Sequence, residues 1–248
     1  MFFCPRRLFA YLSLFLASNI SFAAPPALEI GAPVVRRDLP QGSGLARCAE
    51  AYYVISDLNG LLYVLDRDFR VARTHPLRVE RQPGSWLGRK IDPDFESIAC
   101  FTSGTEDWLI VLGSGHRTGV SDSGHLVLAA DPTRKYHRSM APLYAQLAAS
   151  VQSSAMPQLN IEGLAIAGDT VFLFQRGTHF FRLALPELLA YLRGESETPP
   201  AFTTFSVLLP PISGSASAFS GSGTTGSTPM GRQAVLCRTR ARQGDSAV

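Results

Sequence analysis

Two stretches of this chain decide its fold, because the same pattern occurs in both. The first reads Phe95-Glu96-Ser97-Ile98-Ala99-Cys100, followed by Asp107-Trp108-Leu109-Ile110-Val111-Leu112-Gly113-Ser114-Gly115. The second reads Ile161-Glu162-Gly163-Leu164-Ala165-Ile166, followed by Asp169-Thr170-Val171-Phe172-Leu173-Phe174-Gln175-Arg176-Gly177. Each has a glutamate at the second position of a strand pattern, then an aspartate and an apolar strand that ends at glycines. We interpret them as two copies of one repeat, with glutamates 66 residues apart.

The repeat continues beyond these two strands. A third strand is predicted at 125–130 and at 180–185, followed in each copy by a short helical pattern at 142–147 and at 186–192. Proline in the first turn favours a helix start, and Gly194 favours the end of the second helix. Nearer the N-terminus, Asn59-Gly60 separates two β-rich runs, which predicts a hairpin with a type I′ turn.

These patterns predict three blade-like units, at about 45–90, 92–150 and 159–209. A four-stranded repeat whose inner strands are apolar on both faces is typical of a β-propeller blade. We therefore predict an all-β fold, an incomplete β-propeller with short helical insertions. The alternative is an open antiparallel sandwich, in which no fixed order of motifs is required.

The two ends of the chain differ from its body. Residues 1–23 combine Arg6 and Arg7, an apolar run of about 13 residues and small residues at a cleavage site. This order predicts a cleavable signal peptide and a secreted or periplasmic protein. An uncleaved membrane anchor is the alternative. Residues 24–211 form the predicted propeller-like domain, and the Ser-, Gly- and Arg-rich segment 212–248 predicts a disordered tail.

A closed propeller usually has at least four blades, so three units are too few to close one. Either segment 24–44 supplies the missing strands, or the chain is a truncated or frame-altered version of a longer protein. The second hypothesis is the favoured one at this point.

Charge and cysteine content exclude some classes of protein. The formal net charge is +3, but residues 24–211 carry 17 basic and 19 acidic side chains, so the body is slightly acidic. Without a basic stripe, nucleic-acid binding is not expected. Once the predicted signal peptide with Cys4 is removed, Cys48, Cys100 and Cys237 remain, an odd and widely spaced set that is not a disulfide framework. Cys100 is interpreted as a small buried hydrophobe, and a Cys48–Cys100 disulfide in an oxidising compartment is the alternative.

At the repeated motifs the sequence resembles a known group of proteins. The stretches Pro93-Asp94-Phe95-Glu96, Leu112-Gly113-Ser114-Gly115-His116-Arg117 and Asn160-Ile161-Glu162-Gly163 through Gln175-Arg176-Gly177 resemble secreted bacterial β-propellers of unassigned function. That family is similar in outline to phytase-like and esterase-like propellers. The resemblance covers roughly 45–209, and it implies a calcium-dependent hydrolase as one function of this chain. The tail departs from the family, since it lacks further blades.

The candidate site follows from the repeat. In a propeller the first strand of each blade lines the central channel, so Glu96 and Glu162 are expected on a ring around the axis. Together they could bind Ca²⁺, which prefers several oxygen ligands. Arg117 and Arg176 follow the second strands and could hold a small anionic ligand. The alternative is a purely structural role, in which each glutamate forms an ion pair with an arginine.

Ser114 is kept as a ligand-binding candidate, although its surroundings lack the Gly-x-Ser-x-Gly spacing of a nucleophile elbow. Three hypotheses for function remain open. The first is an exported propeller that binds a ligand or serves as a scaffold. The second is a calcium-dependent phytase-like or esterase-like hydrolase, and the third is a nonfunctional truncated product.

Overall fold

Three four-stranded antiparallel sheets form the body of the computed structural model. It describes residues 28–30, 34–77, 93–151, 158–177, 179–206, 233–236 and 239–241. The described elements follow one another in this order: β1 (Leu28–Ile30), β2 (Val34–Pro40), β3 (Gly42–Cys48), β4 (Ala51–Ser56), β5 (Leu61–Leu65), β6 (Val71–Pro76), β7 (Phe95–Ser103), β8 (Glu106–Gly113), β9 (Ser123–Leu128), β10 (Lys135–Ser139), α1 (Ala141–Val151), β11 (Ile161–Ala167), β12 (Thr170–Gln175), β13 (His179–Ala184), α2 (Leu185–Arg193), β14 (Phe202–Ser206), β15 (Gln233–Leu236) and β16 (Thr239–Ala241).

Each sheet is a meander in which consecutive strands pair antiparallel. The first sheet has the order β3-β4-β5-β6, the second β7-β8-β9-β10 and the third β11-β12-β13-β14. The first strands of the sheets are neighbours, because β7 lies beside both β3 and β11. Such blade-like sheets with adjoining first strands confirm the predicted all-β, propeller-like fold with two short helices.

Apolar cores fill the spaces between the sheets. Ile55 and Leu62 of the first sheet pack with Phe95, Leu109 and Val127 of the second. The opposite face of the second sheet packs on the third sheet and on both helices in the largest described core. The inner strands β5, β8 and β9 are therefore buried on both faces, which explains the apolar runs 61–65, 108–112 and 126–128.

The third sheet carries an aromatic ladder on the face that does not join this core. Phe172, Phe174, Phe180 and Phe205 contact one another across the strands, and the rings of Phe180 and Phe205 stack with centroids 4.9 Å apart. These rings are partly exposed. Cross-strand aromatic pairs of this kind stabilise the sheet beyond its backbone hydrogen bonds.

The helices confirm one prediction and correct another. Helix α1 begins beside Pro142 and α2 ends at Gly194, whose left-handed backbone (φ 76°) caps the last turn. However, α1 follows the fourth strand of its sheet, whereas α2 lies between the third and fourth strands. The sequence interpretation missed β10 because its polar residues lack an apolar period.

The hairpin at Asn59-Gly60 forms, but its turn is not type I′. A four-residue loop joins β4 to β5, and neither Asn59 nor Gly60 has the positive φ that a type I′ turn requires. Instead the Asn59 carboxamide bridges the loop, donating to the Tyr63 hydroxyl at 2.9 Å and accepting the Leu61 N–H at 3.1 Å. Side-chain hydrogen bonding therefore replaces the tight turn.

Short strands near the two ends of the chain pair with one another. Within the unit 32–237, β15 pairs antiparallel with β2, which leads into the first sheet. In a separate small unit, β1 pairs with β16. Segment 24–44 contains β1, β2 and the start of β3, and β15 and β16 lie within the predicted disordered tail. The remainder of that tail and the predicted signal peptide lie outside the described residues.

A disulfide joins Cys48 of β3 to Cys100 of β7, with Cα atoms 5.8 Å apart. The interpretation of Cys100 as a free buried hydrophobe is therefore wrong. Sequence spacing could not show the pairing, because it depends on the register of two strands that lie in different sheets. The disulfide connects the first strands of neighbouring sheets.

Replacing both cysteines by alanine should destabilise the protein. The disulfide closes a loop of 52 residues, for which the chain-entropy model predicts a loss of about 4 kcal/mol in the free energy of unfolding. Urea unfolding of C48A/C100A measures this change. The wild type reduced with a thiol should unfold like C48A/C100A, and equal midpoints for the oxidised wild type, the reduced wild type and the variant would contradict the assignment.

Candidate functional site

The same β-bulge occurs near the start of the first strand in each sheet. In the second sheet Phe95 pairs with Gly113 and Ser97 with Leu112, so Glu96 is the extra residue. In the third sheet Ile161 pairs with Gln175 and Gly163 with Phe174, so Glu162 is the extra residue. Ser43 holds this position in the first sheet, where Gly42 pairs with Ser56 and Gly44 with Ile55. A bulged residue leaves the regular alternation of faces and its side chain can be redirected.

One backbone hydrogen bond closes each bulge in the same way. The residue after the second strand donates its N–H to the carbonyl two residues before the bulged residue. These bonds are Asp57 to Gln41 at 3.3 Å, Ser114 to Asp94 at 2.9 Å and Arg176 to Asn160 at 2.8 Å. Each sheet therefore contributes three equivalent positions to one end of the body.

Further hydrogen bonds tie these ends to each other across the sheet boundaries. The Ser43 hydroxyl donates to the Phe95 carbonyl, which links the first sheet to the second. The Ile161 N–H donates to the Ser114 carbonyl at 2.8 Å, which links the third sheet to the second. The three bulges consequently lie in a continuous hydrogen-bonded row.

Glu162 is buried and forms an ion pair with Arg176. Only 7% of Glu162 is exposed. Its carboxylate contacts the Arg176 guanidinium, whose side chain is 60% exposed. This pair is the purely structural arrangement that the sequence alternative expected for both glutamates. Loss of Arg176 would remove this contact from a buried acidic side chain and would lower the stability of the fold.

Glu96 has a different environment. Among the described residues it forms no ion pair. Burial raises the pKa of Glu96 to about 9, and the carboxylates of Glu162, Asp94 and Asp57 act in the same direction, while Arg176 opposes them. At neutral pH the Glu96 carboxyl group is therefore protonated.

We call Asp57, Asp94, Glu96, Glu162 and Arg176 the axial cluster. Its members come from all three sheets, and the hydrogen-bonded row of bulges places them at one end of the body. Gln41 supports the cluster, because its carboxamide nitrogen, in the orientation that its surroundings select, donates to both carboxylate oxygens of Asp57 at 2.8 and 3.0 Å. Among the described residues the cluster contains four acidic groups and one guanidinium.

Ser114 is a structural residue of this end of the body. It is fully buried, its hydroxyl donates to the Asp94 carboxylate, and it accepts the His116 N–H at 3.0 Å. The backbone explains why the residues on both sides of Ser114 are glycines. A Cβ at Gly113 would overlap the Ser121 carbonyl, and Gly115 has φ +75°. A buried hydroxyl with both partners satisfied is not placed to attack a substrate.

Arg117 is not the counterpart of Arg176, contrary to the sequence alignment of the repeats. Ser114 holds the equivalent position in the second sheet. Arg117 lies three residues further on, where its backbone N–H donates to the Ser121 hydroxyl at 2.7 Å and its carbonyl accepts the N–H groups of Val120 and Ser121. The loop after β8 is longer than the sequence pattern suggested.

The calcium prediction receives no support from the side-chain geometry. In the part of the chain that the structure describes, no group of three or more His, Cys, Asp or Glu side chains is arranged to hold a metal ion. Calcium normally takes six to eight oxygen ligands.

Sequence reasoning missed Asp57 and Asp94 as members of the cluster. Both lie beside strand ends, where an aspartate is typical of a turn. A signal was present, because Gln41-x-Ser43, Asp94-x-Glu96 and Asn160-x-Glu162 share one spacing ahead of the first strand. Asp94 and Gln41 also have left-handed backbones, with φ 52° and 41°, a conformation that only the structure could show.

A family model for proteins of unknown function, DUF6929, matches residues 38–231, which include all three sheets and the whole axial cluster. The chain belongs to this family. Among the curated proteins no relative of this DUF6929 chain matches. One similar solved structure is that of the hemopexin fold protein CP4 from cow pea, at 11% identity and a TM-score of 0.32, covering 68% of this chain and 69% of that chain. A similarity this low carries no inference about ligand or activity.

The described helices of this DUF6929 chain are too short or too polar to cross a membrane. The family assignment adds no function to the axial cluster, so its chemistry rests on the geometry above.

Replacing Glu96 by glutamine should stabilise this DUF6929 chain above pH 5. Because the folded-state pKa is raised to about 9 from 4.5, the wild type loses stability as pH rises through that window, and the amide carries no such cost. At pH 8 we expect a gain of about 2 kcal/mol, since solvent screening reduces the full linkage value. Urea unfolding between pH 5 and 9 measures it.

The matched control is Glu197→Gln, at an exposed glutamate that pairs with Arg138 on the surface. This variant should keep the wild-type pH profile. Parallel profiles for the wild type and Glu96→Gln would show that Glu96 titrates normally.

Proposed function

We propose that this chain is an exported, non-catalytic binding protein that holds a small, positively charged ligand at the axial cluster. One observation carries the proposal. Glu96 lies half-buried among three other acidic groups and, within the described residues, has no basic partner of its own, whereas Glu162 has Arg176. A ligand cation beside Glu96 would supply the missing positive charge and displace its proton.

This proposal replaces the small anionic ligand that the sequence suggested. Among the described residues, an anion would have to approach four acidic groups and one guanidinium. That guanidinium, on Arg176, already contacts Glu162. Without a bound metal to reverse the local charge, repulsion disfavours that approach. A molecule with an ammonium or guanidinium group has a charge opposite to that of an ionised Glu96 carboxylate.

Export is supported by the disulfide and by the N-terminal sequence pattern. Disulfides form and persist in oxidising compartments such as the periplasm or the extracellular space, and Cys48–Cys100 joins two sheets. The order of charge, apolar run and small residues in 1–23 predicts a signal peptide. Secretion and the resemblance to phytase-like propellers remain predictions.

Thermal unfolding of the full chain with choline, arginine, putrescine, calcium chloride or phytate tests the proposal. An organic cation present at 100 times its Kd should stabilise the fold by about 2.7 kcal/mol. The effect should weaken in Glu162→Gln and persist in Glu187→Gln, a matched change on helix α2.

Two outcomes would overturn the proposal. Stabilisation by calcium together with release of phosphate from phytate, or with cleavage of a chromogenic ester, would favour the hydrolase. A cooperative transition that none of the organic cations shifts would favour a scaffold without a small ligand at this cluster.

A further inference from the structure

A cavity lies between the first and second sheets. It is at the end of β3 and β7 that is opposite to the bulges. It has a volume of about 400 Å³, within the usual range for small-molecule sites. The β3–β4 turn at Ala49 and Glu50 forms one side, and the β7–β8 turn at Thr105 and Glu106 forms the other. We call this cavity the inter-sheet cleft.

The floor of the inter-sheet cleft is apolar and rigid. Tyr53, Leu128 and Ala129 line it, and each is at most 4% exposed. The Tyr53 hydroxyl donates to the Ala129 carbonyl at 2.9 Å, which fixes the ring against the second sheet. Cys48, which belongs to the disulfide between the two sheets, also lines the cleft. The two walls are therefore covalently held together, and the cavity is preformed.

The rim of the inter-sheet cleft is acidic on both sides. Glu50 comes from the first sheet, and Glu106 and Asp107 come from the second. No described residue that lines the cleft is Lys, Arg or His. The rim thus offers acceptors and negative charge above an apolar floor.

The surrounding arginines do not close the rim. Glu50 pairs with Arg67 and Glu106 with Arg134, but all four side chains are 43–72% exposed. Exposed ion pairs of this kind contribute little and exchange readily. Asp107 differs, because its carboxylate accepts the Thr102 hydroxyl at 2.7 Å and has no ion-pair partner among the described residues. Burial raises the pKa of the Tyr53 hydroxyl, Arg73 opposes this effect and Asp107 adds to it.

From the juxtaposition of this acidic rim and apolar floor between two disulfide-linked sheets, we infer that the inter-sheet cleft is a second binding site, for a small organic ammonium ion with a short apolar chain. The chain would cover Leu128 and Ala129 beside the Tyr53 ring, and the ammonium group would lie between Asp107 and Glu50. The apolar floor contributes by removing hydrocarbon from water, and the rim selects the sign of the charge. This inference does not depend on the axial cluster.

Isothermal titration of the full chain with n-butylammonium, butanoate and n-butanol tests the inference. These probes share one chain length and differ in charge. We expect saturable binding of n-butylammonium, weaker binding of n-butanol and none of butanoate. Asp107→Asn should weaken n-butylammonium binding about tenfold, the effect of one charge-assisted contact. The asparagine oxygen can still accept the Thr102 hydroxyl, so this variant should melt like the wild type.

Two further variants test where in the chain n-butylammonium binds. Asp169→Asn, at the corresponding turn of the third sheet, should leave the affinity for n-butylammonium unchanged. Glu96→Gln distinguishes the two sites, because it should affect only a ligand at the axial cluster. Equal binding of butanoate, an unchanged affinity in Asp107→Asn, or loss of n-butylammonium binding in Glu96→Gln would overturn the inference.

Discussion

The β-bulge at the start of each first strand is the constraint on which the rest of the structure depends. Phe95 and Ile98 are three residues apart, yet both pack in the core between the first two sheets. Ile161 and Leu164 have the same separation and share the core of the third sheet. Regular alternation puts such residues on opposite faces, so one residue between them must be extra. In both sheets the extra residue is a glutamate.

The bulge therefore connects packing to charge. Because the apolar residues on either side are committed to the cores, the bulged side chains cannot enter them. The closing hydrogen bonds from Asp57, Ser114 and Arg176 then bring a second polar position from each sheet to the same end. The sheets differ in what they place there, and that asymmetry leaves Glu162 paired while Glu96 holds a proton.

Sequence reasoning reached the architecture through periodicity and repetition. The apolar strands, the order of motifs and the two helices are encoded locally, so they could be predicted from Asp107–Leu112 and its repeat near Thr170. The Cys48–Cys100 disulfide could not, since it depends on how two sheets pack. The same is true of Arg117 and Ser114, where loop length decides which residue follows the second strand.

The convergence of Glu96 and Glu162 could be predicted because equivalent strands of a propeller meet at its axis. The participation of Asp57 and Asp94 could not, because aspartates near turns are usually explained by turn chemistry. Their electrostatic effect on the pKa of Glu96 depends on how the starts of the three first strands lie side by side in the fold.

The central claim is that the three sheets bring their acidic groups together around Glu96. An NMR titration of the Glu96 side-chain carboxyl carbon in the full chain tests it most directly. The account predicts an apparent pKa near 9, which falls when Glu162 is replaced by glutamine because one neighbouring charge is removed. A pKa in the ordinary range for glutamate, unchanged in Glu162→Gln, would contradict it.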